Sequence, residues 1–116
     1  MTPQDMGRVM LNLYNNAFYA MEQKRKLNAD GYLPVILVKT ELSNHQVHIT
    51  VRDNGVGIAE QNLDKIFQPF FTTKPTGDGS GLGLSISYDT IKGYGGEIHA
   101  NSEEGSYTEI SISLPV

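Results

Sequence analysis

Cysteine is absent from the 116 residues, which excludes disulfides and thiolate zinc sites and fits a reducing compartment such as the cytoplasm. No apolar run approaches the roughly 18 residues that a membrane helix needs, so no membrane contact is expected of this domain. No charged-then-apolar stretch opens the chain, and no secretory leader is expected. Basic residues are in deficit. Lys and Arg number 9 against 13 Asp and Glu, for a net charge of −4 and a pI near 5.2. A domain with that balance is a poor general binder of nucleic acid. Any phosphate it holds must be held locally, by backbone N–H groups, a metal ion or a few placed lysines. What is plentiful is glycine, with 12 residues clustered late in the chain. Hydrophobic residues at 39% and charged residues at 19% make a globular composition, and the length suits one domain, residues 1–116, with one modest core.

The start reads as a helix. Thr2 suits the cap, Pro3 the first helical position, and Asp5 stands where a capping box places its acid. Met6, Val9, Met10, Leu13, Ala17 and Ala20 recur at helical spacing, and Lys24, Arg25 and Lys26 suit the negative end of the dipole. Two strands are predicted next. One is the run Val35–Val38; the other holds Val47, Ile49 and Val51 alternating with His48, Thr50 and Arg52 after a turn at Ser43-Asn44. Asp53 to Gly57 is a glycine turn and Ala59 to Phe67 a short helix. Thr72 to Gly81 is polar and glycine-rich and is predicted to be mobile. Leu82 to Lys92 reads as a second long helix, broken by Gly95-Gly96. Glu97–Asn101 and a final strand with Ile110, Ile112 and Leu114 alternating with serines follow. Strand pairs separated by helices predict an α+β fold: a two-layer sandwich with a mixed, mostly antiparallel sheet and helices on one face. No strand leads into a dinucleotide fingerprint.

Four stretches have chemistry in reach. Asn12 and Asn16 are four apart and share a helix face beside the Leu13 stripe. An amide oxygen there is a neutral, hard ligand suited to Mg²⁺ that already carries phosphate oxygens; equally, asparagines on helices are commonly solvated surface residues. Asp53-Asn54-Gly55-Val56-Gly57 follows a strand. An aspartate there can accept a hydrogen bond from an exocyclic amine, while the same residues also make an ordinary turn. Gly77 to Leu84 opens a helix with glycines at 77, 79, 81 and 83. It suits either a phosphate cradle or a linker. In Phe67-Gln68-Pro69-Phe70-Phe71-Thr72-Thr73-Lys74, the aromatics anchor a loop or simply join the core. Lys74 has no local carboxylate and is free to meet a phosphate.

In this order, the four pieces resemble the ATP-binding catalytic domain of sensor histidine kinases, in the ATPase superfamily that includes gyrase, MutL and a heat-shock chaperone. The matching residues are Asn12-Leu13…Asn16-Ala17, Asp53-Asn54-Gly55-Val56-Gly57-Ile58, Phe67…Phe70-Phe71 and Gly79-Ser80-Gly81-Leu82-Gly83-Leu84. Gly95-Gly96 and Gly105…Thr108…Leu114-Pro115 look like that family's last hairpin. The resemblance implies a Bergerat-like fold that binds ATP with Mg²⁺. Asn16 would ligate the metal and Asn12 would assist near the phosphates. Asp53 would accept from the adenine amine, beside Gly55, Gly57 and Ile58, and Thr108 would support adenine through a water. Gly79, Gly81, Leu82, Gly83 and Leu84 would meet the phosphates. Thr72 to Gly81 would be a lid hinged at Phe70-Phe71, with Lys74 added as a γ-phosphate contact and a catalytic group beside Asn12 and Asn16.

The sequence departs from the family pattern in three places. His45, His48 and His99 are not followed by Glu, so the phosphoacceptor histidine is expected on a separate dimerisation domain of a larger, cytoplasmic or membrane-anchored kinase, with a response-regulator receiver domain as the onward partner. A strand that usually precedes the first helix is missing here, which leaves an exposed edge expected. Tyr107 stands where the family has a smaller residue, which puts the geometry at Thr108 in question. Asn12 occupies the place of the Glu that activates water in hydrolysing relatives, and an amide is no general base. The resemblance therefore implies phosphoryl transfer to a histidine. A serine kinase of the anti-sigma-factor type and a nucleotide sensor of the same fold are the alternatives.

Overall fold

The protein is described here from a computed structural model, over residues 1–27, 30–71 and 83–116. The first helix, α1 (Pro3–Leu27), buries Val9, Leu13, Ala17 and Met21. These recur every four residues and so form one stripe. The Asp5 N–H donates to Thr2 Oγ1 at 3.1 Å, which closes half of the capping box. The Asp5 carboxylate accepts the Tyr94 hydroxyl. The expected acid at this position thus ties the start of α1 to the chain beyond the second long helix.

Strands β1 (Ile36–Ser43) and β2 (Gln46–Asp53) form a hairpin. Asn44 and His45 make its two-residue turn with φ of 54° and 61°, the left-handed pair that matches strand twist. A short helix, α2 (Glu60–Leu63), precedes α3 (Gly83–Gly93), and β3 (Glu97–Glu103) and β4 (Tyr107–Pro115) close the chain. The sheet order is β1-β2-β4-β3. Every described pairing is antiparallel, so the parallel component expected of a mixed sheet is absent among the described residues. β1 pairs only with β2 there and forms an edge, with Leu37 and Leu42 exposed.

Two elements differ from their expected extents. β1 runs through Lys39, Thr40 and Glu41, a stretch that reads as turn-like polar sequence but is carried as strand by its register against Thr50, Ile49 and His48. The helix expected over Ala59–Phe67 is helical only over Glu60–Leu63. Beyond it the chain continues in tight three-residue turns, with Lys65 N–H donating to Asn62 O and Gln68 N–H to Lys65 O.

All helices lie on one face of the sheet, which makes the two-layer α+β sandwich. That face is a lattice of aliphatic rungs. Val47 stands beside Leu114, Ile112 between Ile49 and Ile98, and Ile110 between Val51 and Ala100. Val9 and Leu13 of α1 and Ile91 of α3 close over it. Among the described residues, no helix is long and apolar enough to cross a membrane.

Candidate functional site

The aliphatic lattice ends in one polar rung. Asp53, Thr108 and Ser102 follow in register across β2, β4 and β3, on the same inward face as the core. Asp53 and Thr108 are buried, at 5% and 8% exposure. Together they form part of the wall of an open-sided cavity of about 470 Å³ between α1, the loop after β2 and the start of α3. Burial of the carboxyl pushes the Asp53 pKa up to about 6. The Gly55 N–H, donating to Oδ1 at 2.8 Å, and the nearby Lys24 ammonium act in the opposite direction.

The loop after β2 is held from three sides. Val56 N–H donates to Ala20 O of α1 at 3.2 Å, Gly105 N–H donates to Val56 O, and Ile58 N–H donates to Ser102 Oγ at 2.7 Å. Lys24 adds a bond from its Nζ to Gly105 O at 2.9 Å. Asn54 lies outside the cavity and fastens the chain before β1. Its side chain accepts the Val35 N–H at 2.8 Å and the Tyr32 hydroxyl, and donates to Leu33 O.

The glycines of this loop are required by packing. A Cβ on Gly55 would lie 2.5 Å from the Ala20 carbonyl carbon, and one on Gly57, whose φ is +73°, 2.3 Å from Glu103 O. Gly57 lines the cavity, whereas Gly55 is backed against α1 and lies outside the lining.

At the far end of the cavity stand the two asparagines of α1. Asn12 Nδ2 donates to Gly83 O and to Ser87 Oγ, each at 3.2 Å, and so joins α1 to the first turn of α3. Asn16 Nδ2 donates to Asn12 O at 2.8 Å, one helical turn back. Both amide nitrogens are therefore committed to the protein. Asn16 Oδ1 has no partner among the described residues, an arrangement that offers a hard, neutral oxygen to the cavity.

Of the expected site residues, the cavity wall contains Asn12, Asn16, Asp53, Gly57, Ile58, Gly83, Leu84 and Thr108. Phe70 does not belong to it: its side chain is exposed, and Phe71 lines the wall in its place. Lys74, Gly79, Gly81, Leu82 and the Thr72–Gly81 lid lie outside the described residues. Tyr107 leaves Thr108 undisturbed, because alternation along β4 sends its ring to the outer face, where the Arg52 guanidinium stands 4.0 Å from its centroid. His48 and His99 also lie on that outer face, beside Ser113 and Ser111, and His45 is in the β1–β2 turn.

Sequence reasoning missed Tyr19, Asn62 and Glu104, which also line the cavity. Tyr19 follows Asn12 by seven residues and Asn16 by three on one helix face. That spacing was a usable signal. Asn62 reaches the wall from α2 and Glu104 from the β3–β4 turn, and neither carries such a signal.

The profile of the histidine kinase-, DNA gyrase B- and HSP90-like ATPases matches residues 1–116. The chain belongs to that ATPase family. Within it, the chain is 40% identical over 114 residues to the sensor histidine kinase ZraS of Escherichia coli (strain K12), covering 98% of this chain and 22% of ZraS. Sporulation kinase E of Bacillus subtilis (strain 168) is 37% identical over 114 residues, 98% of this chain and 14% of the kinase. The catalytic domain of histidine kinase ThkA superposes with a TM-score of 0.76 at 32% identity, over 97% of this chain and 66% of that one. The chain is thus an ATP-binding catalytic domain of the histidine kinase type, and it spans about a fifth of the length of the curated relative ZraS.

Proposed function

We propose that this domain holds Mg·ATP and donates the γ-phosphoryl group to a histidine on a separate dimerisation domain of a larger kinase, for onward transfer to an aspartate of a response-regulator receiver domain. The observation that carries this reading is the division of the cavity. Buried acceptors at Asp53 and Thr108 stand at one end, and the amides of Asn12 and Asn16, with the start of α3, at the other. The first end suits an adenine edge that presents N–H donors. The second suits phosphates and their counterion.

Among the described residues, no group of three or more His, Cys, Asp or Glu is placed to hold a metal by itself. Mg²⁺ would therefore be held by the Asn16 amide oxygen together with phosphate oxygens and water. Bound there, it supplies charge neutralisation at the triphosphate. In the transfer step, an imidazole nitrogen of the partner domain forms a bond to the γ-phosphorus. The bond from that phosphorus to the β–γ bridging oxygen breaks, and ADP leaves with the electron pair. The protein contributes position and electrostatics to a loose transition state. Asn12 bonds to Gly83 and Ser87 through its amide nitrogen. An amide there activates no water, so hydrolysis is expected to be slow. His48 and His99 face away from the cavity across the sheet, which supports an acceptor supplied from outside the chain. A cytoplasmic location follows from this reading.

The test combines calorimetry with Mg·ATP and incubation with γ-labelled ATP plus a separately produced histidine-bearing dimerisation domain. ATP binding and a label on the partner that resists base and is lost in acid are the expected results. Absence of ATP binding refutes the reading. An acid-stable label favours transfer to serine instead.

A further inference from the structure

We infer that Ser102, which lies outside the cavity, sets the direction of the Thr108 hydroxyl and so makes the Asp53–Thr108 rung at the base-binding end of the site a pair of acceptors. This rests on the nucleotide reading above. Hydrogen-bond accounting at Ser102 carries the argument. Its Oγ lies 2.7 Å from the Tyr107 carbonyl oxygen, 2.7 Å from the Ile58 amide nitrogen and 3.2 Å from Thr108 Oγ1. A carbonyl only accepts, so the single Ser102 proton goes to Tyr107 O. The Ile58 N–H takes one Ser102 lone pair. The remaining lone pair can be satisfied only by a donor, and the neighbour in place is the Thr108 hydroxyl. Thr108 therefore donates away from the cavity, across the β3–β4 ladder, and turns lone pairs toward the ligand space.

Its other cross-strand neighbour is Asp53. With the Gly55 N–H on Oδ1, the ionised carboxylate also presents only acceptors. The ligand group that meets this rung must be a donor, as the 6-amino group of adenine is. A purine with a carbonyl at the same place brings acceptor against acceptor, which leaves buried groups unpaired. Ser102 is thus a positioning residue. It touches no ligand and acts through Thr108, and through Ile58 it holds the loop after β2.

These two roles separate experimentally. Loss of loop anchorage weakens all nucleotides together, whereas a freed Thr108 proton changes the preference between them. The test is the ratio of Mg·ATP to Mg·ITP dissociation constants, measured by displacement of a fluorescent nucleotide from the intact chain. The wild type is expected to prefer ATP. In Ser102→Ala that preference is expected to fall at least about fivefold, while Ser102→Thr retains it. In a Thr108→Val background, Ser102→Ala is expected to leave the ratio where Thr108→Val alone puts it. If Ser102→Ala loses its cooperative thermal transition, Ser102→Cys replaces it, since a thiol is a poor acceptor for the Thr108 hydroxyl, and the same fall is expected. An unchanged ratio in the folded variant, with wild-type preference intact, overturns the role of Ser102 and leaves the nucleotide reading standing. A wild type that binds no ATP overturns both, whereas one that binds ATP and ITP alike overturns the inference and leaves ATP binding standing.

Discussion

Asp53 and Thr108 stand directly opposite each other across the β2–β4 ladder, on the rung after Val51 and Ile110. The site is therefore an extension of the core. The strands that supply the aliphatic rungs supply its polar end, and the buried carboxylate and hydroxyl inherit the rigidity of the sheet. Cross-strand neighbours on one face have Cβ atoms roughly 5 Å apart, close enough for a single planar group to meet both.

The raised Asp53 pKa has a consequence for stability. In the unfolded chain the carboxyl titrates near 3.8 and in the fold near 6. Between those values the folded state binds more protons than the unfolded state, so stability is expected to fall as pH rises from about 4 to about 6 and then to level. Asp53→Asn removes that slope and is expected to stabilise the empty protein near neutral pH by on the order of 2 kcal/mol. Chemical denaturation across pH checks this. The same variant is expected to lose ATP affinity, and the wild type to bind ATP less well below pH 6, where the carboxyl carries a proton in place of an acceptor site while Oδ1 stays engaged with the Gly55 N–H.

Gly57→Ala is expected to damage folding first and binding second. Its φ of +73° is strained for an L side chain, and the new methyl would meet Glu103 O at 2.3 Å. A loss on the order of 2 kcal/mol or more in a denaturant titration is the expected result. A variant as stable as the wild type would show that the β3–β4 turn yields freely at this point.

Much of this was readable in advance, for a physical reason. The Val47, Ile49, Val51 and Ile110, Ile112, Leu114 alternations encode which strand face is inward, and Asp53 and Thr108 lie in phase with them. The stripe of α1 likewise places Asn12 and Asn16 beside Leu13. What sequence could not show depends on non-local pairing. β1 extends through Lys39-Thr40-Glu41 because β2 offers a partner strand. The role of Ser102 depends on Tyr107, Thr108 and Ile58, which reach it only once β3 and β4 pair and the loop after β2 docks. Gly55 and Gly57 read as turn residues beside a base-binding aspartate. Their first cause is contact with Ala20 and Glu103.

Asn16 is expected to reveal itself through the metal. Its nitrogen is engaged with Asn12 O at 2.8 Å, which fixes the amide and directs Oδ1 elsewhere. Asn16→Ala is expected to weaken Mg·ATP about tenfold or more and Mg-free ATP much less, a difference of roughly 1.4 kcal/mol or more. Asn16→Asp keeps an oxygen but adds charge beside the triphosphate and loses the donor to Asn12, so it too is expected to disturb binding. Calorimetry with and without Mg²⁺ checks both, and equal losses in the two conditions would remove the metal assignment.

Asn12 is expected to resist conversion into a catalytic base. Its Nδ2 gives hydrogen bonds to Gly83 O and Ser87 Oγ, and Ser87 is fully buried. A carboxylate in that place has no proton for either contact. It would set negative charge against the Gly83 carbonyl, at the very turn that begins α3 and borders the cavity. Asn12→Asp is therefore expected to destabilise the α1–α3 contact by about 1–3 kcal/mol and to weaken ATP binding, without a rise in ATP hydrolysis. Asn12→Gln keeps the donor and is expected to retain more of the stability. Denaturant titration and a phosphate-release assay on the two variants give the comparison. A folded Asn12→Asp protein that hydrolyses ATP faster than the wild type would show that the amide alone restrains hydrolysis and that its bonds to α3 are secondary.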